Sequence, residues 1–249
     1  MTRPETLRVL IVDDEELARR GLRRDLASDP SIEVVAECPD GFDALRAAAE
    51  LKPDLMLLDI QMPRLDGFEV LELLDPAIGV IFVTAHDEHA VRAFEVNAVD
   101  YLLKPVDPER LRQALGRARG RLARREPMPV AALTSAARPA GVPRDRVLVR
   151  DGSRVHVIPV EIIDYVEARD DYIALHVAGR SHLKQQTIGA METQLDPARF
   201  VRIHRSYLLN VDRLDRIELI AKDSRLAILR DGTRLPLSRE GYTRLRAML

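Results

Sequence analysis

The segment VLIVDDEE, residues 9–16, indicates how the first half of the chain folds. Four apolar residues run into two adjacent aspartates, and a segment with helical apolar spacing, 15–25, follows them. Short, fully apolar runs are typical of strands that are buried on both faces. Such a strand followed by a helix is the repeating unit of a parallel sheet with right-handed crossovers.

The same pattern recurs four more times before residue 120. We predict strands at 8–12, 33–38, 55–58, 80–83 and 101–103. Helices are predicted between and after them, at 15–25, 41–51, 67–74, 88–97 and 108–119. The predicted fold class of this half is therefore α/β, a doubly wound parallel sheet of five strands.

Polar side chains stand where these strands end. Asp13 and Asp14 follow the first strand, and Asp59 follows the third. Thr84 and Lys104 end the fourth and the fifth. A single aspartate at such a place is most often a helix cap, but the carboxyl ends of parallel strands meet at one edge of the sheet, so we expect all five groups in one crevice.

The chemistry of this crevice follows from its charges. Three neighbouring carboxylates repel one another unless a hard cation neutralises them, and oxygen ligands favour Mg²⁺ or Mn²⁺. One carboxylate can then attack a phosphoryl group, while Lys104 stabilises charge on the transferred oxygens.

The composition is that of an ordinary globular protein with one large or two modest domains. The 249 residues are 46% hydrophobic and 31% charged, with a net charge of −2. Cys38 is the single cysteine, so an intramolecular disulfide is excluded. No apolar run reaches the ~18 residues of a membrane span, and the first residues turn acidic before a signal-peptide core forms. We expect a cytoplasmic protein with no membrane partner.

Charge is distributed unevenly along the chain. Residues 1–120 carry 15 Lys and Arg against 24 Asp and Glu, a net charge of −9, whereas residues 144–249 carry 19 against 15, a net charge of +4. Seventeen of those 19 bases are Arg, whose planar guanidinium suits phosphates and guanine edges. This asymmetry suggests a regulator joined to an anion-binding module, although a solvated Arg-rich surface gives the same composition.

The second half has a different composition and a different pattern of predicted elements. Prolines and small residues predict a linker at 123–143, between a first domain at 1–122 and a second at 144–249. The second domain is predicted to be mostly β, with strands at 147–150, 154–158, 162–167, 172–177, 182–186, 200–203, 206–210, 214–219, 225–229 and 235–237. A short helix is predicted at 187–195, and an amphipathic segment at 239–249 closes the chain.

Four motifs of the first half match, in order and spacing, the receiver domains of two-component response regulators. They are VLIVDDEE at 9–16, LLDIQMPRLDGFE at 57–69, VTA at 83–85 and YLLKP at 101–105. The resemblance covers about 6–120 and implies the flavodoxin-like form of the α/β fold, with a sensor histidine kinase as partner. It implies that Asp59 is the phospho-acceptor, and that Thr84 and Lys104 contact the phosphoryl oxygens.

The same resemblance implies a metal site and a switch. Asp14 would bind Mg²⁺ directly and Asp13 partly through water, with Asp59 and the main-chain carbonyl of Gln61 as further ligands. A cis bond at Lys104–Pro105 is expected. Tyr101 stands where the family keeps its aromatic switch and would rotate inward as Thr84 moves toward the phosphate; a plain core tyrosine is the alternative.

The sequence does not favour an enzyme, such as a phosphatase, as an alternative. Phosphatases of the haloacid dehalogenase type also use an aspartate nucleophile with Mg²⁺, but they need a second aspartate two residues later. Gln61 stands at that place after Asp59, so the general acid is absent. We predict that the chain is not an enzyme.

Residues 144–249 lack the common nucleic-acid motifs. We find no helix-turn-helix pattern and no cysteine–histidine cluster for zinc. The histidines are predicted to be strand-surface or core side chains: His156, His176, His182 and His204. The aromatic residues look scattered rather than paired, which argues against a stacking platform for single strands: Tyr165, Tyr172, Phe200, Tyr207 and Tyr242.

Three segments of this half resemble the LytTR-type DNA-binding domain of LytR/AgrA-class regulators. They are IDYVEARDDY at 163–172, FVRIHRSYLLNVDRL at 200–214 and LPLSREGY at 235–242. The resemblance covers about 146–248 and implies a ten-stranded fold whose loops enter successive major grooves. It implies base contacts by Arg205 and Arg239, with Arg169 or one of the next two residues, Asp170 and Asp171, as the third.

The sequence thus predicts a phosphorylation-dependent transcriptional regulator that binds repeated promoter sites in double-stranded DNA, as a homodimer on activation. Candidate phosphate contacts are Lys184, Arg202, Lys222 and Arg225. The alternative is a receiver that controls an RNA- or protein-binding module.

Overall fold

The computed structural model describes residues 6–85, 98–124, 143–152, 154–221 and 224–249. Contacts divide the chain into two compact units, Met1–Arg138 and Pro139–Leu249. The predicted helix at 88–97 and most of the predicted linker at 123–143 lie outside the described residues.

The first unit contains a parallel sheet of five strands. The strands are β1 Leu7–Val12, β2 Ile32–Cys38, β3 Leu55–Leu58, β4 Gly79–Thr84 and β5 Asp100–Leu103. The described helices are α1 Glu16–Leu26, α2 Gly41–Leu51, α3 Gly67–Leu73 and α4 Pro108–Ala123. The strand order β2-β1-β3-β4-β5 is the flavodoxin-like order, which confirms the predicted fold class. The order reverses between β1 and β3, and ligands bind such sheets at that point.

Apolar patterning explains why these elements form and how they pack. All four residues of β3 are buried, as expected of a central strand covered on both faces. Leu22 and Leu26 of α1 and Leu111 and Leu115 of α4 pack into one core against Ile11 and its neighbours. Side-chain caps fix the starts of α2, α3 and α4.

The second unit is mostly antiparallel β structure. Its strands are β6 Arg146–Asp151, β7 Arg154–Pro159, β8 Tyr165–Arg169, β9 Tyr172–Val177, β10 Arg180–Lys184, β11 Phe200–His204, β12 Tyr207–Asn210, β13 Leu214–Ala221, β14 Ser224–Leu229 and β15 Arg234–Leu237. Two α-helices are described, α5 Ile188–Glu192 and α6 Arg239–Arg246. The described part of this unit therefore has ten strands, as the LytTR resemblance implied.

A five-stranded sheet, β10-β9-β8-β12-β11, is the centre of this unit. The hairpin β6–β7 and α5 contribute to a core with Val166 and Leu175 of the sheet. The sheet β13-β14-β15 and α6 contribute to a second core with Ile203 and Leu209. Leu208 belongs to the first core and Leu209, the next residue of β12, to the second. Because successive side chains of a strand point to opposite faces, the central sheet carries a core on each face.

Two strand predictions in this unit were shifted by two or three residues. The strand predicted at 182–186 is Arg180–Lys184, because the turn comes early: Ala178 and Gly179 have φ values of 48° and 77°. The strand predicted at 162–167 begins only at Tyr165, since Val160–Ile162 forms a 3₁₀ turn.

Among the described residues, no helix is both long enough and apolar enough to cross a membrane.

Candidate functional site

Three carboxylates meet at the carboxyl ends of β1 and β3. These strands are neighbours with Val12 paired to Leu58, so the residues that follow them emerge side by side. Asp13 is fully buried, Asp59 is 5% exposed and Asp14 faces solvent. One oxygen from each of Asp13, Asp14 and Asp59 lies within 4.8 Å of the others. The structure thus brings together the acidic trio predicted from the strand ends.

Lys104 is the counter-ion of this trio. Its Nζ lies 2.7 Å from Asp13 Oδ2 and 2.8 Å from Asp59 Oδ2. The pairing of β5 with β4 carries it to this edge, and the Lys104–Pro105 peptide is cis, as expected. Burial acts to lower the pKa of Lys104, but hydrogen bonds to Asp13 and Asp59 outweigh it and raise that pKa. Burial raises the pKa of Asp13, against the opposing hydrogen bond from Lys104.

Thr84 adds a hydroxyl to the same edge of the sheet. It is fully buried at the end of β4, and its Oγ1 has no hydrogen-bond partner among the described residues. Its main-chain oxygen accepts from the Lys104 N–H at 2.9 Å. A buried hydroxyl without a partner costs stability, and a phosphoryl oxygen next to Asp59 would supply the missing partner. Tyr101, in the neighbouring strand, is 8% exposed and paired in register with Phe82.

The donor set fits Mg²⁺. Carboxylate oxygens at this spacing are the hard ligands that this ion prefers, and Asp14 leaves the site open to solvent on one side. Asp14 and Gln61 line the same cleft. The Gln61 N–H donates to Asp59 Oδ1 at 3.3 Å, so Gln61 is tied to the Asp59 carboxylate through its main chain.

In the second unit, two of the three candidate arginines lie at one end of the central sheet. Arg205 is exposed in the turn between β11 and β12, and Arg169 ends β8 with its side chain 50% exposed. These turns are adjacent because β8 pairs with β12, and the Ala168 N–H donates to the Ser206 oxygen at 2.8 Å.

The third arginine, Arg239, is exposed at the first position of α6. The Ser238 hydroxyl accepts from the Gly241 N–H at 3.0 Å and donates to the Ile203 oxygen at 3.0 Å. This double contact caps α6 and anchors it on β11, two residues before Arg205. Arg205 thus follows β11 and Arg239 begins the helix anchored on β11, whereas Arg169 ends β8, on the other side of β12.

Comparisons with known proteins agree with both units. The response regulator receiver domain model matches residues 9–116, and the LytTr DNA-binding domain model matches residues 153–249. The transcriptional regulatory protein BtsR of Escherichia coli K12 is 36% identical over 238 residues, which cover 94% of this chain and 95% of that protein. The chain belongs to the response regulators that join a receiver domain to a LytTR DNA-binding domain.

Two other members of this family, from different organisms, match at similar levels. An uncharacterized response regulatory protein of Yersinia pestis is 35% identical over 98% of each chain. One from Shewanella oneidensis is 37% identical, over 92% of this chain and 93% of that protein. Receiver and LytTR domains together make this chain a two-component transcriptional regulator, with a phosphodonor kinase and DNA as the implied partners.

The structure corrects two predictions about the LytTR domain. Lys184 was a candidate phosphate contact, but it is buried and its Nζ donates to the Leu148 oxygen at 2.7 Å, so it ties β10 to β6. The aromatic residues are not all scattered. Tyr165 and Tyr207 lie with ring centroids 6.2 Å apart, and His176 stacks on Tyr165 at 4.1 Å.

The other phosphate candidates differ in how they are held. The Arg202 side chain is 18% exposed and bonds Glu192 and the His204 oxygen. The Arg225 guanidinium lies 4.4 Å from the centroid of the Tyr242 ring. Lys222 lies outside the described residues.

Sequence reasoning missed two residues that shape the receiver site. A Cβ on Gly67 would lie 2.4 Å from the Asp59 oxygen and 2.9 Å from Ile60 Cα, so only glycine permits this approach of α3. Arg19 on α1 donates to the main-chain oxygen of Asp13 at 2.7 Å and fixes the turn after β1. The Asp-Gly pair at 66–67 signals a turn but not this contact, since the contact joins residues from different elements.

Proposed function

We propose that this response regulator accepts a phosphoryl group on Asp59 from a sensor histidine kinase and then binds repeated promoter sites. The receiver domain would be 1–122, the linker 123–143 and the DNA-binding domain 144–249. The observation that carries the proposal is the buried site in which Asp59 meets the Lys104 ammonium while the Thr84 hydroxyl lacks a partner among the described residues. A phosphoryl oxygen bound there would contact the Lys104 ammonium or accept a hydrogen bond from the Thr84 hydroxyl.

The transfer uses the residues of this chain as follows. An Asp59 carboxylate oxygen attacks phosphorus, the bond from phosphorus to the donor nitrogen breaks, and the imidazole leaves with its electron pair. Lys104 exchanges its contact with Asp59 for one with a phosphoryl oxygen, and Thr84 donates to another. Mg²⁺, held by Asp13, Asp14, Asp59 and the Gln61 carbonyl, would supply charge neutralisation of the carboxylates and the phosphoryl oxygens.

The switch follows from the position of Thr84. When its hydroxyl turns toward the phosphate, space opens on its far side, and Tyr101 on the adjacent strand moves into that space. A few kcal/mol of differential contact are enough to change the dominant state. The phosphorylated form then favours a homodimer, which sets two DNA-binding domains on paired sites.

On the DNA, Arg205, Arg239 and Arg169 are proposed to contact base edges in the major groove. An arginine that bonds guanine O6 and N7 with two donors contributes about 1–3 kcal/mol of discrimination. The protein would act in the cytoplasm, where its DNA is, and as a switch rather than as an enzyme on a separate substrate.

Phosphoryl acceptance is tested with acetyl phosphate and Mg²⁺, followed by intact mass spectrometry. We expect one phosphoryl group on the wild type and on the control Asp75→Asn, a change of a solvent-exposed carboxylate. Asp59→Asn should carry none. Equal labelling of Asp59→Asn would overturn the assignment of the acceptor.

DNA binding is tested by selecting duplexes from a random pool, with and without beryllofluoride. We expect a motif with two half-sites, weaker binding by Arg205→Ala and tighter binding with beryllofluoride. If a filter-binding assay retained RNA but no duplex motif emerged, the output would be an RNA-binding module and the DNA proposal would fail.

A further inference from the structure

Glu167 is the centre of a polar network beneath the β8–β9 turn. Its carboxylate, 21% exposed, contacts side chains from its own strand, β8, and from both neighbouring strands, β9 and β12. Oε1 accepts from the Tyr207 hydroxyl at 3.1 Å, and Oε2 lies 3.2 Å from His176 Nε2. The His176 ring is itself held by stacking on Tyr165. A side chain with contacts on both oxygens has one preferred position.

Arg169 completes this network. Its Nε and Nη2 lie 2.9 Å and 2.7 Å from Glu167 Oε2. A guanidinium is planar with donors on several edges, so this pairing occupies the Nε–Nη2 edge and turns Nη1 away from the carboxylate. The Arg169 side chain is half exposed and lies beside the turn that carries Arg205.

We propose that Glu167 is a positioning residue for DNA recognition, which holds the Arg169 guanidinium so that its outer edge faces a base. This inference rests on the DNA-binding function proposed above and selects Arg169 as the base-reading residue of the Arg169–Asp171 loop. An arginine fixed before binding loses less rotamer freedom on the DNA, so it reads one base pair more selectively.

The charge of Glu167 makes the proposal testable. Burial acts to raise the pKa of Glu167, but hydrogen bonds from Arg169, His176 and Tyr207 outweigh it and hold that pKa below its usual value, so the group is an anion at neutral pH. An anion beside DNA weakens binding to any duplex through repulsion from the phosphates. The proposed role therefore predicts that Glu167 acts on selectivity rather than on general affinity.

The experiment measures dissociation constants of the full-length protein for its selected duplex, for duplexes changed at one base pair and for an unrelated duplex. We expect Glu167→Ala to lower discrimination at one base pair by about tenfold, within the range of a two-donor arginine–guanine contact. Its affinity for the unrelated duplex should stay equal or rise. Both substitutions act on the same contact, the one between Arg169 and the base. The double variant Glu167→Ala with Arg169→Ala should therefore discriminate as well as Arg169→Ala alone.

Two further variants distinguish a loss of Arg169 positioning from a general loss of stability. Tyr207→Phe removes only the hydroxyl that bonds Glu167 and should give a smaller loss at the same base pair, even if Glu167→Ala lowers the melting temperature. Asp212→Ala breaks the Asp212–Arg199 pair, 2.9 Å, at the opposite end of β11 and β12, and should keep full discrimination.

The outcomes separate this inference from the proposed function. If Arg169→Ala loses the base preference while Glu167→Ala and Tyr207→Phe keep it, Arg169 reads without being positioned and the inference is wrong. If only Arg205→Ala loses a preference, DNA binding stands and this inference fails. If the wild type selects no duplex, the proposed function itself fails.

Discussion

At the level of single residues, Lys104 stabilises the fold around the carboxylates at the ends of β1 and β3. It neutralises two carboxylates that are nearly inaccessible to water, Asp13 and Asp59, through contacts of 2.7 Å and 2.8 Å. Removing one partner from a buried ion pair leaves the other charge uncompensated. The stability lost is then larger than the net stability that the intact pair contributes. The lysine side chain is 16% exposed, so the cost is somewhat below that of a fully buried pair.

Lys104→Met should therefore lower the free energy of unfolding by about 2–4 kcal/mol in the absence of Mg²⁺. Added Mg²⁺ should stabilise the variant more than the wild type, because the ion no longer competes with an ammonium group. Urea denaturation with and without Mg²⁺ measures both effects, and Lys52→Met, which removes an exposed charge, is the control. Equal stabilisation of variant and wild type by Mg²⁺ would show that Lys104 does not share the carboxylates with the ion.

Gly67 controls the backbone on which Asp59 is presented. Gly67→Ala would force a Cβ to within 2.4 Å of the Asp59 oxygen, so α3 or the loop after β3 must move. We expect a loss of about 1–3 kcal/mol of stability and slower phosphoryl acceptance from acetyl phosphate.

The matched control for this substitution is Gly21→Ala in α1, where a Cβ meets no atom within 4 Å. Removing a helical glycine should stabilise the protein by about 0.5–1 kcal/mol and leave phosphoryl acceptance unchanged. Unchanged acceptance in both variants would mean that the approach of α3 does not position Asp59.

At the scale of elements, α6 is fixed to β11 by a contact that only glycine permits. A Cβ on Gly241 would lie 1.9 Å from the Ile203 oxygen, and Arg244 Nε donates to the Arg202 oxygen at 3.0 Å farther along the helix. The helix thus sets the distance between Arg239 and the β11–β12 turn.

Gly241→Ala should lift the first turn of α6 from β11 and weaken binding to the selected duplex more than binding to an unrelated one. The control is Gly189→Ala in α5, where a Cβ meets no atom within 4 Å. Fluorescence anisotropy with both duplexes measures the effect, and melting temperatures show that each variant is folded. Equal weakening on both duplexes would mean that α6 contributes only general affinity.

The elements themselves were largely predictable from the sequence. The bounds of β3 and α2 were predicted to the residue, because β3 is a wholly apolar run between aspartates and α2 begins at a capping aspartate, Asp40. The strand ends also predicted the acidic trio with Lys104. Contacts between distant residues were not predictable: spacing reveals neither the Gly67 approach nor the burial of Lys184.

At the scale of the whole molecule, charge favours assembly on DNA. The LytTR half has a net charge of only +4, whereas residues 1–120 carry −9, so one copy gains little from general attraction to phosphates. Two linked copies on adjacent half-sites would make twice as many phosphate contacts, and because they bind together, their affinities would combine. If the protein dimerises on phosphorylation as proposed, dimerisation alone would be enough to control its binding to DNA.

Dimeric binding predicts a specific response to salt. With beryllofluoride, sedimentation should show a dimer, and binding to a duplex with two half-sites should fall with salt about twice as steeply as binding to one half-site, since the slope counts neutralised phosphates. Asp59→Asn should remain a monomer and give the shallow slope on both duplexes. Identical slopes for the activated wild type on one and two half-sites would contradict dimeric binding, because a second bound copy must displace further counterions from the DNA.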